Sequence, residues 1–231
     1  ARVKDCLAAV DTAGVQMMVG FNRRFDPDFA ELRKRIHAGE IGTLELLTVI
    51  SKDPAPPPLK IAKASGGLFR DMTIHDFDMV RFLMGEEPIA VSATASCQVD
   101  PEIGALSDVD TAVVSLRSAS GTLAVIVNSR RATYGYDQRI EAHGSNGMLS
   151  VGNRVESSLI RADADGITGS KPQYFFLERY ALAYRAELDC FVEMLDRQKT
   201  QAPNGVDGLA ALVLAEAASE SLATGREVGL D

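Results

Sequence analysis

An α+β fold, built on an open, mostly antiparallel sheet with helices on one face, is what this sequence predicts, and three observations carry the prediction. Six strand-like segments follow Gly85 at roughly ten-residue spacing. Two of their connections, Ser118-Ala119-Ser120-Gly121 and Gly144-Ser145-Asn146-Gly147, supply the glycine and asparagine that tight hairpins need for positive φ. Helical periodicity precedes and follows these segments without interrupting them. With 231 residues and 46% hydrophobic content, the chain can bury a full core.

Taken in order, Val3, Leu7 and Val10 form a helical stripe that runs to Ala13, Gly14 closes it, and residues 15–21 are a continuous apolar run. Helix followed by buried strand is the closing unit of a parallel α/β sheet, so residues 1–21 are expected as the remnant of one domain and residues 22–231 as another. Asp26-Pro27 places an N-cap before a proline at the first helical position, and Phe29, Leu32 and Ile36 carry that helix to Gly39. Residues 43–50 read as a strand, and the loop Asp53-Pro54-Ala55-Pro56-Pro57-Pro58 after it can be neither helix nor central strand. Strands are expected at 89–99, 109–117, 122–128, 138–143, 148–151 and 155–161, joined as an antiparallel meander. Helices at 176–198 and 207–224, separated by Pro203-Asn204-Gly205, finish the chain. In segment 89–99 one side reads Ile89, Val91, Ala93, Ala95, Cys97 and Val99, a core face, and the other Ala90, Ser92, Thr94, Ser96 and Gln98, small and uncharged. Residues 122–127 are apolar on both sides, so the open face is expected to join copies into a homodimer or homotetramer.

The net charge of −8 sets like charge against nucleic acid and anionic membranes, so neither is expected as a partner. The basic run Arg33-Lys34-Arg35 reads as the solvent side of a helix. Cys6, Cys97 and Cys190 lie far apart without C-x-x-C spacing, which argues against a disulfide framework or a zinc site and suits a reducing cytoplasm. No metal is expected. No run of about 18 apolar residues is present to span a membrane, and no signal-peptide pattern opens the chain.

The strongest chemical signal is Ser65-Gly66-Gly67-Leu68-Phe69-Arg70-Asp71-Met72-Thr73-Ile74-His75-Asp76-Phe77-Asp78, a glycine-led entry into a helix. At about 100° per residue, Asp71, His75 and Asp78 fall on one strip, while Phe69, Met72, Phe77, Val80, Leu83 and Met84 lie opposite. A carboxylate at i−4 can orient an imidazole and raise its proton affinity, which suits it to moving a proton; the same spacing also describes a solvated polar face. Gly66-Gly67 allows close backbone packing. Gly20-Phe21-Asn22-Arg23-Arg24-Phe25-Asp26 follows the predicted parallel strand, where open α/β sheets bind ligands. Its two arginines either fork hydrogen bonds to a polyhydroxylated or anionic ligand or fix a domain junction by salt bridges. Tyr134-Gly135-Tyr136 lies at the end of an apolar strand, its tyrosines projecting a hydroxyl into a pocket or simply packing. His37 and His143 have no partner by spacing and read as structural. The sequence holds no G-x-G-x-x-G fingerprint, no phosphate-binding G-x-x-x-x-G-K-[ST] and no G-x-S-x-G elbow.

The order of Gly20 to Asp26, Asp53-Pro54, Gly66-Gly67 with Asp71-x-x-x-His75-Asp76, and a final Ala/Leu helix ending Gly225-Arg226-Glu227-Val228 closely resembles the glucose-fructose oxidoreductase, inositol dehydrogenase and rhizopine-catabolism family over essentially all 231 residues. The proline-rich loop is most similar to the bacterial inositol 2-dehydrogenase branch. The resemblance implies an N-terminal Rossmann domain that binds NAD or NADP, a Glu-Lys-Pro motif, and a C-terminal substrate-binding and oligomerisation domain with a large open antiparallel sheet. Lacking both the glycine fingerprint and Glu-Lys-Pro, residues 1–21 are expected as the Rossmann remnant, and the chain on its own as inactive. By resemblance, His75 accepts the proton of an inositol, polyol or sugar hydroxyl while hydride leaves to the nicotinamide, and Asp71 orients His75 and binds a hydroxyl. Arg23 and Asp53 match positions lining the substrate site, with Arg24 and Tyr134 as further candidates. A non-catalytic, sugar-sensing relative of the same fold is the alternative, against which the retention of both Asp71 and His75 speaks.

Overall fold

The computed structural model describes residues 2–196, 200 and 202–230. In chain order it runs α1 (Arg2–Ala13), a 3-10 turn (Asn22–Phe25), α2 (Pro27–His37), β1 (Leu44–Lys52), α3 (Leu59–Ser65), α4 (Leu68–Asp71), α5 (Thr73–Met84) and β2 (Pro88–Ser96). There follow α6 (Pro101–Ala105), β3 (Thr111–Ser118), β4 (Leu123–Ser129), β5 (Asp137–Gly144) and β6 (Gly147–Val151). A hairpin of β7 (Ile160–Asp163) and β8 (Gly166–Gly169) leads to α7 (Phe176–Arg179), α8 (Ala181–Leu195), α9 (Gly205–Thr224) and β9 (Val228–Gly229). Seven strands form one sheet in the order β6-β5-β1-β4-β3-β2-β9.

Local chemistry accounts for the element ends. The Asp26 carboxylate caps α2, accepting from Asp28 N at 3.1 Å and Phe29 N at 3.2 Å with Pro27 beside it. Asn204 and Asp207 close a reciprocal capping box at the start of α9. On the inner face of the sheet, Val91, Val114, Leu116 and Ile126 pack beneath Phe77, Val80 and Leu83 of α5 and Leu214 of α9. Small residues at Ala211, Ala215 and Ala218 let α9 lie close, and Ala93 N donates to Ser221 Oγ at 2.9 Å. The other face is open: Met148, His143, Leu46, Leu123 and Arg117 form one cross-strand row on it.

The meander is interrupted. β1 slots between β4 and β5, parallel to the first from Leu46↔Leu123 to Lys52↔Ser129 and antiparallel to the second. Its alternation, with Leu47 and Val49 buried, suits a central strand of either polarity, so periodicity alone does not place it. Residues 15–21, expected as a buried strand, are not one. No neighbouring strand among the described residues offers them a ladder; Val19 N instead donates to Pro203 O at 2.8 Å, and Val15 is 59% exposed. Residues 155–161 also depart from expectation: Val155 makes one bridge to Pro172, and only the exposed β7 pairs, with β8. Glu156-Ser157-Ser158 leaves no apolar face for the sheet to bury.

The helix expected over 176–198 breaks at Tyr180, whose buried ring turns inward; its last positions, Arg197 and Gln198, lie outside the described residues, as do Ala1 and Asp231. A register shift between Pro88 and Ala90 turns Ala90 inward and leaves Ile89 exposed, reversing the sides predicted for those two. Of the basic run on α2, Lys34 and Arg35 are exposed as expected, but Arg33 lies over the Phe82 ring and donates to Phe82 O at 3.1 Å. The helix expected through 68–84 is two helices, α4 and α5, broken at Met72.

Candidate active site

β1 and β4 end side by side, and just beyond their carboxyl ends stand Asp53 and Arg130, with Asp53 N donating to Ser129 O at 2.9 Å. The 3-10 turn brings Arg23 to this edge, and the break between α4 and α5 brings Asp71 and His75. Between them opens a cleft of about 320 Å³, lined by Arg23, Asp53, Asp71, His75, Tyr136 and Tyr180 among others.

A buried polar network forms its floor. Arg23 donates to Asp76 and, at 3.3 Å, to Ser51 Oγ. The other Asp76 oxygen accepts from Asn128 Nδ2 at 2.8 Å, and Asn128 Oδ1 accepts from Thr73 Oγ1 at 2.6 Å. Gln138 continues the chain, donating from Nε2 to Ser51 Oγ at 3.0 Å and accepting from the Tyr180 hydroxyl at 3.2 Å. Burial pushes the Asp76 carboxyl up, and Arg23 and Asn128 pull it back. Both Asp76 oxygens are engaged, so this network shapes the cleft and leaves the chemistry to other groups.

His75 is the reactive candidate. Its Nδ1 is buried with no partner among the described residues, so Nε2 is the ring nitrogen that a ligand can reach. Phe21 meets the ring edge-on, centroids 5.9 Å apart. Burial first, and the charge of Arg23 second, push His75 down to about 3. This corrects the expected rise through Asp71. The break at Met72 takes Asp71 off the shared helical strip, and its Oδ2 accepts from Arg130 Nη2 at 3.0 Å. Asp53 behaves oppositely: burial pushes it up to about 6, with Arg130 and then Arg23 restraining the rise.

Of the six predicted site residues, Arg23, Asp53, Asp71 and His75 thus line one cleft. Arg24 and Tyr134 do not. Arg24 forks onto Asp78, at 2.8 Å from Nε and 2.5 Å from Nη2, and reaches Asp207 at 2.9 Å, the salt-bridge reading of that arginine. Asp78 is accordingly buried and is no part of a solvated strip. The Tyr134 hydroxyl donates to Asp137 at 2.5 Å, with the ring half exposed. His37 Nε2 lies 3.1 Å from Leu83 O, and His143 lies 3.5 Å from Glu45, both outside the cleft. Gly67 has φ +91°, and a Cβ on it would sit 2.8 Å from Asp108 Oδ1, which accepts from Leu68 N at 3.0 Å; the glycine pair serves the start of α4.

Of the run Tyr134-Gly135-Tyr136 it is Tyr136 that lines the cleft, whereas Asp76, Asn128, Arg130 and Tyr180 were not singled out from the sequence. Asp76 directly follows His75 in the motif, and Arg130-Arg131 repeats the paired arginines of residues 23–24 just past a strand; both are usable signals. Tyr180 carries none. Among the described residues no group of His, Cys, Asp and Glu could hold a metal ion, and no helix is long and apolar enough to cross a membrane.

Residues 29–150 match the family model described as GFO/IDH/MocA C-terminal domain. The inositol 2-dehydrogenase of Rhizobium meliloti strain 1021 is 50% identical over 229 residues, covering 99% of this chain and 69% of that protein. The crystal structure of a myo-inositol dehydrogenase from Corynebacterium glutamicum ATCC 13032 has a TM-score of 0.93 at 45% identity, covering 99% of this chain and 69% of that one. The crystal structure of scyllo-inositol dehydrogenase from Lactobacillus casei with bound cofactor NAD(H) and scyllo-inositol has a TM-score of 0.88 at 28% identity, covering 98% and 68%. This chain therefore spans about two thirds of the length of these relatives. Sharing half its residues with one relative along nearly its whole length, and the fold of the others, the chain belongs to the GFO/IDH/MocA family, whose C-terminal domain it contains.

Proposed function

We propose that the chain is the substrate-binding and catalytic part of an NAD(P)-dependent oxidoreductase that oxidises one hydroxyl of inositol, or of a related polyol or sugar, to a ketone. The observation that carries this reading is that His75, its Nδ1 buried, lines the same cleft as two carboxylates, Asp53 and Asp71. A polyhydroxylated ring offers several donors, so two carboxylates grip neighbouring hydroxyls while a third hydroxyl meets the imidazole. The inositol activity of the Rhizobium and Corynebacterium relatives supports that substrate class. Nothing observed favours the sugar-sensing alternative.

When bound, the nicotinamide dinucleotide supplies the acceptor for the hydride that leaves the carbinol carbon. The described residues fit such a group in part. Met17, Val19, Phe21 and Ile74 line a large apolar cleft beside His75 that suits a flat ring, whereas no glycine-rich strand-to-helix turn is present for a pyrophosphate. The bound NAD(H) of the Lactobacillus casei relative supports NAD as the cofactor. The chain's own task is the proton. His75, protonating only near about 3, is neutral at any working pH and accepts the hydroxyl proton at Nε2. Loss of hydride makes that hydroxyl strongly acidic, so a weak base suffices. The test is NADH formation by the full-length protein given NAD and myo- or scyllo-inositol; no reduction with either removes the reading.

Residues 22–231 belong, on this proposal, to the substrate and oligomerisation domain, and residues 1–21 to the edge of the cofactor domain; α1 buries no residue of its own. The 231-residue chain alone is expected to bind NAD weakly and to turn nothing over, because it offers a pyrophosphate no helix N-terminus preceded by a glycine-rich turn. Calorimetry with NAD checks this, and a submicromolar dissociation constant overturns it. The open sheet face, with Val113 and Leu123 about half exposed, is expected to pair with a second copy. Light scattering at micromolar concentration should show a dimer or tetramer; a monomer mass unchanged on tenfold concentration refutes the interface. Cys6, Cys97 and Cys190 are free thiols, in keeping with a reducing, cytoplasmic setting.

A further inference from the structure

We infer that Arg130 is a positioning residue that holds Asp71 as a one-sided acceptor for a ligand hydroxyl, so that Asp71 serves substrate binding and not the orientation of His75. The inference rests on reading the cleft as a polyol site. Asp71 Oδ2 is occupied by Arg130 Nη2 at 3.0 Å, while Oδ1 has no partner among the described residues and the side chain stays 30% exposed on the cleft. One oxygen is tied from behind and the other is presented.

The main chain that carries this guanidinium is itself fixed. Arg130 is 1% exposed, and its backbone N donates to Asp110 O at 2.8 Å. Asp110 is in turn held by backbone N–H groups of Gln98, Val99 and Asp100, each donating at 2.8–2.9 Å to its carboxylate. This rigid seat contrasts with a poorly satisfied head: among the described residues Arg130 Nε is buried without a partner, and Asp71 is the carboxylate the side chain pairs with. Arg24, by comparison, divides its guanidinium between Asp78 and Asp207. A buried guanidinium left partly unsatisfied adds little to stability, so the function of this one lies with the group it faces.

Steady-state kinetics of the full-length protein with NAD and myo-inositol test the assignment. Arg130→Gln is expected to raise KM for inositol about tenfold while kcat stays within about threefold, the pattern of lost binding common to ground and transition states. Arg130→Lys, which keeps a charge behind Asp71, is expected to restore most of the difference. A residue acting through Asp71 adds nothing once Asp71 is neutral, so Arg130→Gln in an Asp71→Asn background should leave KM where Asp71→Asn alone puts it. Additive effects, an unchanged KM in Arg130→Gln, or a loss confined to kcat each overturn the inference. If Arg130→Gln does not fold, Arg130→Lys takes its place in the same cycle, where any KM deficit must vanish with Asp71→Asn. Wild-type protein that forms no NADH from myo- or scyllo-inositol overturns instead the reading of the cleft, and the inference with it.

Discussion

Replacing His75 by alanine in the full-length enzyme is expected to lower the rate of inositol oxidation by about 10²- to 10⁴-fold, the span for losing a positioned general base. The loss should fall on kcat, since Asp53 and Asp71 still line the cleft to hold the polyol. Folding should survive, because among the described residues His75 Nδ1 has no partner to forfeit and the ring meets Phe21 by its edge. The wild-type pH–rate profile is expected to lack a step at the ordinary histidine value of about 6.5, because His75 titrates near about 3. Asp53, pushed up to about 6, is the group that should leave a mark in that region: activity falls as pH drops through its value and it loses its charge. Stopped-flow absorbance of NADH formation from pH 5 to 9 measures both effects. Near-wild-type rates in His75→Ala would transfer the proton step to Asp53.

The second large effect is on stability. Asp76→Ala is expected to cost about 3–5 kcal/mol, the range for breaking a buried ion pair from one side, because Arg23 would remain in the interior with its charge uncompensated. Asp76 is fully buried and Arg23 is 5% exposed, so water cannot take over as partner. Asn128 Nδ2 would also lose its acceptor at 2.8 Å. Asp28→Ala is the control: its pair with Arg154 at 2.8 Å lies on the surface, where such pairs contribute about 0–1 kcal/mol. Urea unfolding followed by circular dichroism compares the two, and equal losses would show the floor of the cleft to be dispensable.

What the sequence disclosed and withheld follows from the range of the forces involved. Caps, turns and alternation are local, and Asp26-Pro27, the turn at Asn146-Gly147 and the burial pattern of β3 are legible because neighbours in the chain are the partners. The place of β1 is not local. The same alternation serves a strand beside β2 or beside β4, and the choice is made by pairing across the whole sheet. Spacing brought Asp71 and His75 into one view but could not foresee the break at Met72, nor that a guanidinium 59 residues on would claim the carboxylate. Arg24 looked identical to Arg23 in a run of two. Consecutive residues in a tight turn point apart, and only the positions of Asp76 and Asp78 decide which arginine enters the cleft and which ties α5 to α9.

The insertion of β1 also governs the order in which the molecule can assemble. The β3–β4 and β5–β6 hairpins close over short loops and can form early, but the sheet stays in two pieces until β1, separated from β4 by four helices and two strands, threads between them. Parallel pairing at such separation is slow, so β1 docking belongs to the late, rate-limiting part of folding. The same event sets Asp53 beside Ser129 and Arg130. Chains caught before it have no carboxylate pair to offer, and a polyol in the medium therefore captures only molecules that have completed the sheet, which makes the substrate itself a selector for the finished fold.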